Sequence, residues 1–395
     1  MGANALLEQI EDVGRDRLRG GYSRHVFDSA ERELREWFVE QAQARDLRVE
    51  TDRNANVWAW LGEPGDDAVV TGSHLDSVPG GGAFDGPLGV VSALSAMDSL
   101  RAKDFVPRRP LAVVVFAEEE GGRFGVPCLG SRLLSGSIAP ERARALRDVD
   151  GVTFGEAMGS AAERIGRDDA ALRRIGRFVE LHVEQGRGLV GWDRPVAVAS
   201  SILAHGRWRF RFHGQGNHAG ATPMPDRRDP MLPASRTVVA VRKEAAKLGA
   251  RATVGRVAAS PGGTNVIPST VDMWLDARAP HTAGARGLVE HLSVLAHRFA
   301  ADEGCRAEVT EESFGDEVHF RPELRDELRA LLDSAPALPT GAGHDAGVLS
   351  AQVPTGMLFV RNPTGISHAP QEHAEPADCE AGVAALARVL EAWAG

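Results

Sequence analysis

The chain is poor in residues that cross-link a fold or supply a reactive amine. It has three cysteines, which are Cys128, Cys305 and Cys379. Because their number is odd and no CxxC pair occurs, the sequence excludes a disulfide framework and a thiolate zinc site, and we expect free thiols. Only three lysines occur, and none lies beside a glycine-rich turn. Schiff-base chemistry and a phosphate-binding P-loop therefore lack the amine that they require.

Long apolar runs and excess positive charge are also missing. Lys plus Arg number 45 against 55 Asp plus Glu, so the formal charge is −10, and no local basic patch offsets it. This balance repels phosphate backbones and predicts no nucleic-acid partner. No stretch approaches the ~18 apolar residues of a membrane span, and residues 1–20 lack the apolar run of a signal peptide. We therefore expect a cytoplasmic protein with no membrane partner.

The composition that remains is that of a two-domain globular protein of 395 residues, 43% hydrophobic and 25% charged. Residues 5–50 have helical spacing, and a second helix is predicted over Val90–Leu100. Asn56–Leu61 and Ala68–Gly72 are short apolar runs typical of strands. Leu111–Ala117 (LAVVVFA) is a continuous apolar run that favours a strand buried on both faces. This alternation of strands and helices predicts an α/β domain.

The middle of the chain has a different pattern, since Arg207–His213 alternates polar and apolar residues as a half-exposed strand does. The predicted strands are Arg207–His213, Ala252–Ala259, Thr270–Ala277 and Ala307–Thr310, and the predicted helices are Pro230–Leu248 and Gly284–Glu303. The end of the chain returns to the first pattern, with an apolar run and a final helix. We therefore predict a smaller α+β domain at 204–314, inserted between residues 1–203 and 315–395 of the α/β domain.

Polar clusters follow four of the predicted strands, where ligands bind in an open α/β sheet. The first cluster is G-S-H-L-D-S-V at 72–78. His74 can offer one ring nitrogen to a metal while Asp76 holds the other, and the glycines that follow let Asp85 return to the same point. Taken alone, an H-x-D pattern is more often a surface or core histidine than a metal site.

The other three clusters are also weak when taken singly. The Glu run at 118–120 follows the LAVVVFA strand, and a dication would turn its repulsion into attraction, although acidic runs are usually solvated. FVELHVEQG at 178–186 aligns its charged residues on one strand face, which is more often exposed than functional. GISHAP at 365–370 puts His368 in a turn.

The four clusters together offer three histidines, one aspartate and one or two glutamates. This is the ligand set of a two-metal site with a bridging carboxylate. Nitrogen and oxygen donors without a thiolate favour Mn²⁺ or Zn²⁺, and they also tolerate Co²⁺ or Ni²⁺. A nucleophilic mechanism is a poorer interpretation because the chain has no G-x-S-x-G elbow and no cysteine beside a suitable histidine.

These motifs resemble those of the amidohydrolases that cleave N-carbamoyl groups. That family includes allantoate amidohydrolase, N-carbamoyl-L-amino-acid hydrolase and β-ureidopropionase, within the aminoacylase and carboxypeptidase type of metallopeptidases. The resemblance runs through GSHLDSVPGGGAFDGPLGV, FAEEEGGRF, FVELHVEQG, GNHAGATPM, TNVIPS, DAR, GAGHDA and GISHAP. It implies a catalytic α/β domain with an inserted lid and dimerisation domain. The chain departs from the family pattern at Ala221 and in the three consecutive glycines at 80–82.

The resemblance also implies a metal-binding role for five residues, with Asp85 as the bridge between two divalent ions per subunit. They are His74, Asp85, Glu120, His182 and His368. His182 is expected to share one ion with Asp85, whereas the division of His74 and His368 between the ions stays open.

The remaining matches imply catalytic and substrate-binding roles. The catalytic group is Glu119 as general base, with His218 and Asp76, and Glu118 is an extra acid without an assigned role. The substrate-binding group is Gln185, His218, Asn265 and Arg278. An arginine can form two parallel bonds to a carboxylate, and an amide can bind a ureido group. From the isolated sequence patterns alone, Arg278 is interpreted as part of a surface ion pair and Asn265 as a turn former.

The function that the resemblance implies is hydrolysis of the ureido C–N bond in a small carboxylate, releasing ammonia and carbon dioxide. Allantoate is the leading substrate, and an N-carbamoyl-L-amino acid and β-ureidopropionate are the alternatives. An aminoacylase or dipeptidase with the same metal ligands stays open, as does a protein that keeps the fold without catalysis. Amphipathic helices and exposed strand edges in the inserted domain predict a homodimer.

Overall fold

The structure, a computed structural model, describes residues 2–395. The chain divides into two compact units, Met1–Ser201 with His319–Gly395, and Ile202–Val318. The insertion predicted from the sequence was 204–314. Across residues 2–395, no helix is long and apolar enough to cross a membrane.

The strands and helices are numbered separately along the chain. The strands are β1 (Arg48–Thr51), β2 (Val57–Leu61), β3 (Ala68–His74), β4 (Leu111–Phe116), β5 (Ile175–Val183), β6 (Val196–Ile202), β7 (Ala204–His213), β8 (Asn217–His218), β9 (Arg251–Ser260), β10 (Val266–Ile267), β11 (Thr270–Ala279), β12 (Arg306–Gly315), β13 (Val318–His319), β14 (Ala337–Thr340) and β15 (Thr355–Val360). The helices are α1 (Ala3–Gln9), α2 (Ser29–Gln43), α3 (Pro87–Arg101), α4 (Leu129–Ser135), α5 (Pro140–Ala145), α6 (Phe154–Met158), α7 (Asp169–Arg174), α8 (Gly188–Trp192), α9 (Met231–Lys247), α10 (Thr282–Asp302), α11 (Pro322–Leu331), α12 (Asp345–Leu349) and α13 (Pro376–Ala394).

The first unit is built on a mixed sheet with the order β1-β2-β4-β3-β5-β15-β6-β13, in which β14 also pairs with β6. The central strands β4, β3, β5 and β15 run parallel to one another. Antiparallel strands flank them on both sides. Because parallel strands end at the same edge of a sheet, the loops that follow the central strands meet there.

The central strands are apolar because both faces of the sheet are covered. Strand β4 is buried along its whole length, as its continuous apolar run predicts. Val113 and Val115 join a core cluster that includes residues of α3 and α13. Val114 and Phe116, on the opposite face, are equally buried.

The prediction of helical structure over residues 5–50 is wrong between the first two helices and at the end of the range. After α1 the chain turns at Asp16, whose carboxylate accepts hydrogen bonds from the amides of Leu18 and Arg19. Helix α2 begins only after Asp28, whose side chain caps it by accepting from the amide of Glu31. Residues from Arg48 onward form β1, which pairs with β2.

The second unit contains an antiparallel sheet with the order β12-β7-β11-β9. Inward residues such as Phe210, Phe212 and Met273 form one apolar core with residues of α9 and α10. Residues alternate along β7 and β11 between buried and partly exposed positions, since only one face of this sheet packs on the helices. The predicted fold class, an α/β domain with a smaller inserted α+β domain, is confirmed.

Candidate metal centre

The loops after the parallel strands bring the sequence-predicted ligands of the first unit together. His74 is the last residue of β3, and His182 is next to last in β5. The Glu run at 118–120 follows β4, and His368 lies in the loop after β15. Side chains separated by almost three hundred positions therefore reach one edge of the sheet.

Asp85 is the centre of this arrangement. Its Oδ1 lies 3.1 Å from Nε2 of His182 and 3.6 Å from Nε2 of His74. The potential ligand atoms of these three residues all lie within 4.8 Å of one another. All three side chains are buried.

A second group forms around the other oxygen of Asp85. Its Oδ2 lies 3.4 Å from Nε2 of His368, and this nitrogen lies 3.3 Å from Oε2 of Glu120. The potential ligand atoms of Asp85, Glu120 and His368 again lie within 4.8 Å of one another. The geometry thus groups His74 with His182 and leaves His368 with Glu120, a division that the sequence left open.

Both buried histidines turn Nε2 toward the aspartate because a carbonyl holds the other nitrogen. Nδ1 of His74 lies 3.0 Å from the carbonyl oxygen of Asp76, and Nδ1 of His182 lies 2.9 Å from that of Val183. A proton on Nδ1 leaves a lone pair on each Nε2. Nitrogen and carboxylate lone pairs then face each other, an arrangement that a bound cation or a proton on Nε2 would stabilise.

The unpartnered atoms at the site fit a pair of cations. Nε2 of His74, Nε2 of His182 and Oε1 of Glu120 are buried without a hydrogen bond. Burial raises the pKa of both Glu119 and Glu120 well above the usual range. Burial alone would lower the pKa of His182, but the Asp85 carboxylate outweighs it and raises that pKa. Divalent ions bound by imidazole and carboxylate groups would supply the missing positive charge.

Asp76 acts differently from the sequence-based expectation. Its carboxylate lies 3.6 Å from Nδ1 of His74, beyond hydrogen-bonding distance, and its backbone carbonyl holds the ring instead. The two carboxylate oxygens accept from the amides of Glu119 and Glu120, each at 3.1 Å. Asp76 therefore fixes the backbone of the acidic loop relative to β3.

The three consecutive glutamates have three different environments. Glu119 is buried, with Oε2 3.5 Å from Nε2 of His74, and its Oε1 accepts from the Cys128 thiol at 3.3 Å. Glu120 belongs to the second group described above. Glu118 turns away and accepts from the amides of Arg123 and Phe124, at 3.0 and 2.6 Å. Glu118 thus stabilises the turn that carries its two neighbours.

The loop before α3 requires a glycine beside His74. Gly86 has a φ of +86°, which side-chain-bearing residues rarely adopt. A Cβ at this position would lie 2.4 to 2.7 Å from three atoms of the His74 ring. Gly86 therefore lets the loop return Asp85 to the end of β3, as the glycine-rich sequence predicted.

Comparison with known proteins shows the family of this chain. A profile of peptidase family M20/M25/M40 matches residues 70–392. The chain belongs to this family. It is 35% identical to an N-carbamoyl-L-amino acid amidohydrolase of Geobacillus stearothermophilus, over 96% of this chain and 95% of that protein. It is 33% identical to an allantoate amidohydrolase of Bacillus subtilis, over 87% of this chain and 86% of that protein.

A solved structure supports the same assignment. An amidase of the hydantoinase/carbamoylase family from Burkholderia vietnamiensis superposes with a TM-score of 0.92 at 32% identity, covering 99% of this chain and 96% of that one. The resemblance read from the sequence is therefore confirmed, and this M20/M25/M40 member is a hydrolase with residue groups suited to metal ions.

The predicted substrate-binding residues are divided between the units. In the first unit, Nε2 of Gln185 donates to Asp85 Oδ2 at 2.9 Å. In the second unit, Nδ1 of His218 accepts from the amides of Gly220 and Ala221 at 3.0 and 3.2 Å. This bonding keeps the proton of His218 on Nε2, so the exposed ring is a donor at that atom.

Asn265 and Arg278 also lie in the second unit. Asn265 is exposed, next to the strand pair formed by β8 and β10. Arg278 makes two bonds to Asp276, from Nε to Oδ1 at 2.8 Å and from Nη2 to Oδ2 at 3.1 Å. The ion pair that the isolated D-A-R pattern suggested is thus present, and a substrate role for Arg278 stays a prediction.

Sequence reasoning missed a second set of polar residues around the candidate ligands. The set comprises Glu180, His344, Asp345, Ser367 and Glu372. The His344 ring lies 4.5 Å from that of His182, centroid to centroid. Glu180 is fully buried and accepts from Ser73 and from the amide of Ala346, so the charged face of β5 does not face solvent. The available signal lay in two motifs, since GAGHDA contains His344 and Asp345 and GISHAP contains Ser367, but only His368 of these motifs was assigned a role.

Proposed function

We propose that this chain is a metal-dependent hydrolase of the ureido C–N bond in small carboxylates, with allantoate as the leading substrate. The observation that carries the proposal is the pair of ligand groups that share Asp85, with the carboxylate of Glu119 3.5 Å from His74. Relatives at 33% and 35% identity bear the names of allantoate and N-carbamoyl-L-amino acid amidohydrolases. Both named substrates contain a ureido group and a carboxylate.

Two divalent ions, Mn²⁺ or Zn²⁺, would be held by the two groups. One ion would take His74, His182 and Asp85, and the other Asp85, Glu120 and His368. When bound, such ions lower the pKa of water toward neutrality and polarise a carbonyl oxygen.

Glu119 is the proposed general base. Its carboxylate lies next to the first ligand group without belonging to either group. It takes a proton from the water that attacks the ureido carbonyl and delivers that proton to the leaving nitrogen. The terminal C–N bond breaks and ammonia leaves. The N-substituted carbamate that remains then loses carbon dioxide and releases the amine of the substrate. Burial raises the pKa of Glu119, and nearby dications would oppose this effect and keep the base ionised.

The proposed roles of the second-unit residues follow from their chemistry. His218 carries its proton on Nε2 and so can donate to the oxyanion that forms on the carbonyl. The carboxamides of Gln185 and Asn265 can bind the planar ureido group. Arg278 can exchange its bidentate partner Asp276 for the substrate carboxylate.

Ammonia release from a panel of substrates tests the proposal. The purified chain is loaded with Mn²⁺ and offered allantoate, N-carbamoyl-L-amino acids and β-ureidopropionate. N-acyl amino acids and dipeptides are the amide controls, and their cleavage is measured from the free amino acids released. We expect the highest kcat/KM on allantoate. Faster cleavage of N-carbamoyl-L-amino acids would make these compounds the preferred substrates. The proposed reaction, hydrolysis of a ureido C–N bond, would be unchanged. Activity on the amide controls alone would support an aminoacylase or dipeptidase, and no ammonia from any ureido compound would end the ureidase proposal.

We also propose that the chain forms a homodimer through its second unit. Strand β9 is one of the two edge strands of the β12-β7-β11-β9 sheet and is exposed over most of its length. Val257 on β9 and Val239 on α9 are exposed apolar side chains. Such an edge is suited to pairing with a second copy. Light scattering should give a dimer that Val257→Glu converts to a monomer, and a monomeric wild type would contradict the proposal.

A further inference from the structure

The carboxylate of Asp85 has an orientation that other residues must hold in place. Each of its oxygens faces a different ligand group, Oδ1 toward His74 and His182, and Oδ2 toward His368. The terminal torsion of an aspartate has broad minima, so packing alone fixes it weakly. A rotation of the carboxylate would remove one oxygen from its group. A bridging aspartate therefore requires hydrogen bonds that hold its plane.

Ser367 provides such a bond to Asp85. Its hydroxyl donates to Oδ2 at 3.0 Å. The same hydroxyl lies 3.1 Å from Oε2 of Glu372. Ser367 precedes His368, so the residue that restrains the bridge belongs to the same loop as a candidate ligand of the second group.

Glu372 fixes the backbone that carries the aspartate. Its Oε1 accepts from the amides of Phe84 and Asp85, each at 2.9 Å. The side chain is buried, with 5% of its surface exposed. One carboxyl group thus holds the loop of Asp85 through one oxygen and contacts Ser367 through the other.

The loop after β15 is itself rigidly bonded, so it can transmit this restraint. The buried side chain of Asn362 accepts from the amides of Thr364 and Gly365, at 3.0 and 2.9 Å, and donates to the carbonyl of Ile366 at 2.8 Å. Gly82 makes room for the glutamate, since a Cβ there would lie 2.3 to 2.5 Å from three Glu372 side-chain atoms. The third glycine of the run at 80–82 is therefore explained by the position of Glu372.

We propose that Ser367 and Glu372 are positioning residues that hold Asp85 with one oxygen toward each ligand group and so set the affinity for the second metal ion. This inference rests on the proposed metal site and adds residues to it. Ser367 acts on the carboxylate directly, and Glu372 acts on it through Ser367 and through the loop backbone. Neither residue needs to touch an ion or the substrate.

Metal affinity of the full-length chain provides the main test. Mn²⁺ binding is measured by equilibrium dialysis with elemental analysis for wild type, Ser367→Ala, Glu372→Ala and Glu372→Gln. We expect each alanine variant to bind the weaker of two Mn²⁺ ions ~10–100-fold less tightly, as is usual when a group that orients a metal ligand is removed. Glutamine keeps an oxygen for the two amides and offers an N–H to Ser367, so it should restore affinity to within ~3-fold of wild type.

Two further measurements separate positioning from a general loss of stability. The visible spectrum of bound Co²⁺ should change in Glu372→Ala and return in Glu372→Gln. The variant with both alanines should lose little more affinity than Glu372→Ala, because the two residues act in one chain of contacts. Glu31 is a matched control, since it is a buried carboxyl in the same unit that accepts from the amide of Phe27 but contacts none of the candidate ligands. Glu31→Ala should lower Tm without lowering Mn²⁺ affinity.

Wild-type affinity for both ions in the alanine variants would overturn the inference. If Glu372→Ala does not fold, unchanged affinity in Ser367→Ala is sufficient to overturn it. A wild type that binds two Mn²⁺ ions but releases no ammonia from ureido compounds would defeat the proposed function and leave this inference standing. A wild type that binds no divalent ion would defeat both.

Discussion

Acidic side chains are buried and crowded around the candidate metal centre of the first unit, whereas the acids of the second unit are not fully buried and several pair with basic side chains. Burial raises the pKa of Glu118, Glu119 and Glu120. In the second unit, the His213 ring, 3.4 Å from the Glu308 carboxylate, lowers the pKa of Glu308, and Arg211 faces Asp272 across paired strands at 2.8 Å. Crowded buried acids cost stability, while exposed ion pairs contribute little.

This difference indicates where the chain can bind cations. The second unit neutralises its charges internally, across the strands of its sheet. The first unit brings acids and imidazoles together, and burial opposes the charged form of each. Buried ionisable groups that lower the stability of the fold are typical of a functional site.

The largest expected effect is that of Glu119→Gln on catalysis. The substitution removes the proposed general base but no metal ligand, so kcat should fall by ~10²–10⁴-fold. Stopped assays of ammonia release measure the rate, and elemental analysis should give the same metal content as wild type. Activity close to that of wild type would refute the base assignment.

The next test concerns His218, a polar residue of the second unit. A catalytic role for His218 would mean that the chemistry is not confined to the first unit. His218→Ala removes the proposed donor to the oxyanion, so kcat should fall by ~10²–10³-fold. Metal content and Tm should stay as in wild type, since His218 is exposed. An unchanged kcat would confine the chemistry to residues of the first unit.

Metal binding should stabilise the first unit selectively. Mn²⁺ at ~100 times its Kd should add about 2.7 kcal/mol to the free energy of unfolding of that unit. Hydrogen exchange should show added protection in the loops around Asp85, Glu119 and His368. Residues 202–318 serve as the internal control, and equal protection there would contradict a metal site built from the first unit alone.

The pH dependence of the stability of the metal-free protein tests how much the buried acids lower its free energy of unfolding. Burial raises the pKa of Glu118 to about 8 from the usual 4.5. The folded state therefore binds this proton more tightly than the unfolded state. The protonated Glu118 carboxyl makes its full contribution to the free energy of unfolding below pH 4.5, and this contribution is lost as the pH rises through 8.

Glu118→Gln should reduce this loss, because the amide oxygen still accepts from the backbone of Arg123 and Phe124. Urea unfolding in the presence of a chelator, across this pH range, measures the effect. A variant whose stability falls with pH as steeply as that of wild type would exclude Glu118 as the cause.

The smallest effect is expected for the exposed ion pairs of the second unit. Arg211→Ala with Asp272→Ala should leave Tm almost unchanged, because solvent screens the pair. Metal content and kcat should also match those of wild type. A large fall in Tm would mean that the stability of the second unit depends on its surface ion pairs.

Local patterns in the sequence were sufficient for much of the fold. The apolar run of β4 predicted a buried strand, and the alternation over Arg207–His213 predicted that β7 is half-exposed. Both signals are periodic and depend on neighbouring residues. The segment around Asp16 was misread because a side-chain turn interrupted a sequence that otherwise had helical spacing.

The sequence by itself determined which chemical groups are present: the histidines and acids that end the strands, the glycines that let the loops bend, and the family to which the chain belongs. Only the tertiary structure decided how these groups are paired. It divided the ligands between the two oxygens of Asp85, turned Glu118 away from Glu119, and joined Ser367 and Glu372 to the loop of Asp85. The physical reason is that these contacts link residues far apart in the chain, and their geometry is fixed by the order of parallel strands, which no local pattern records.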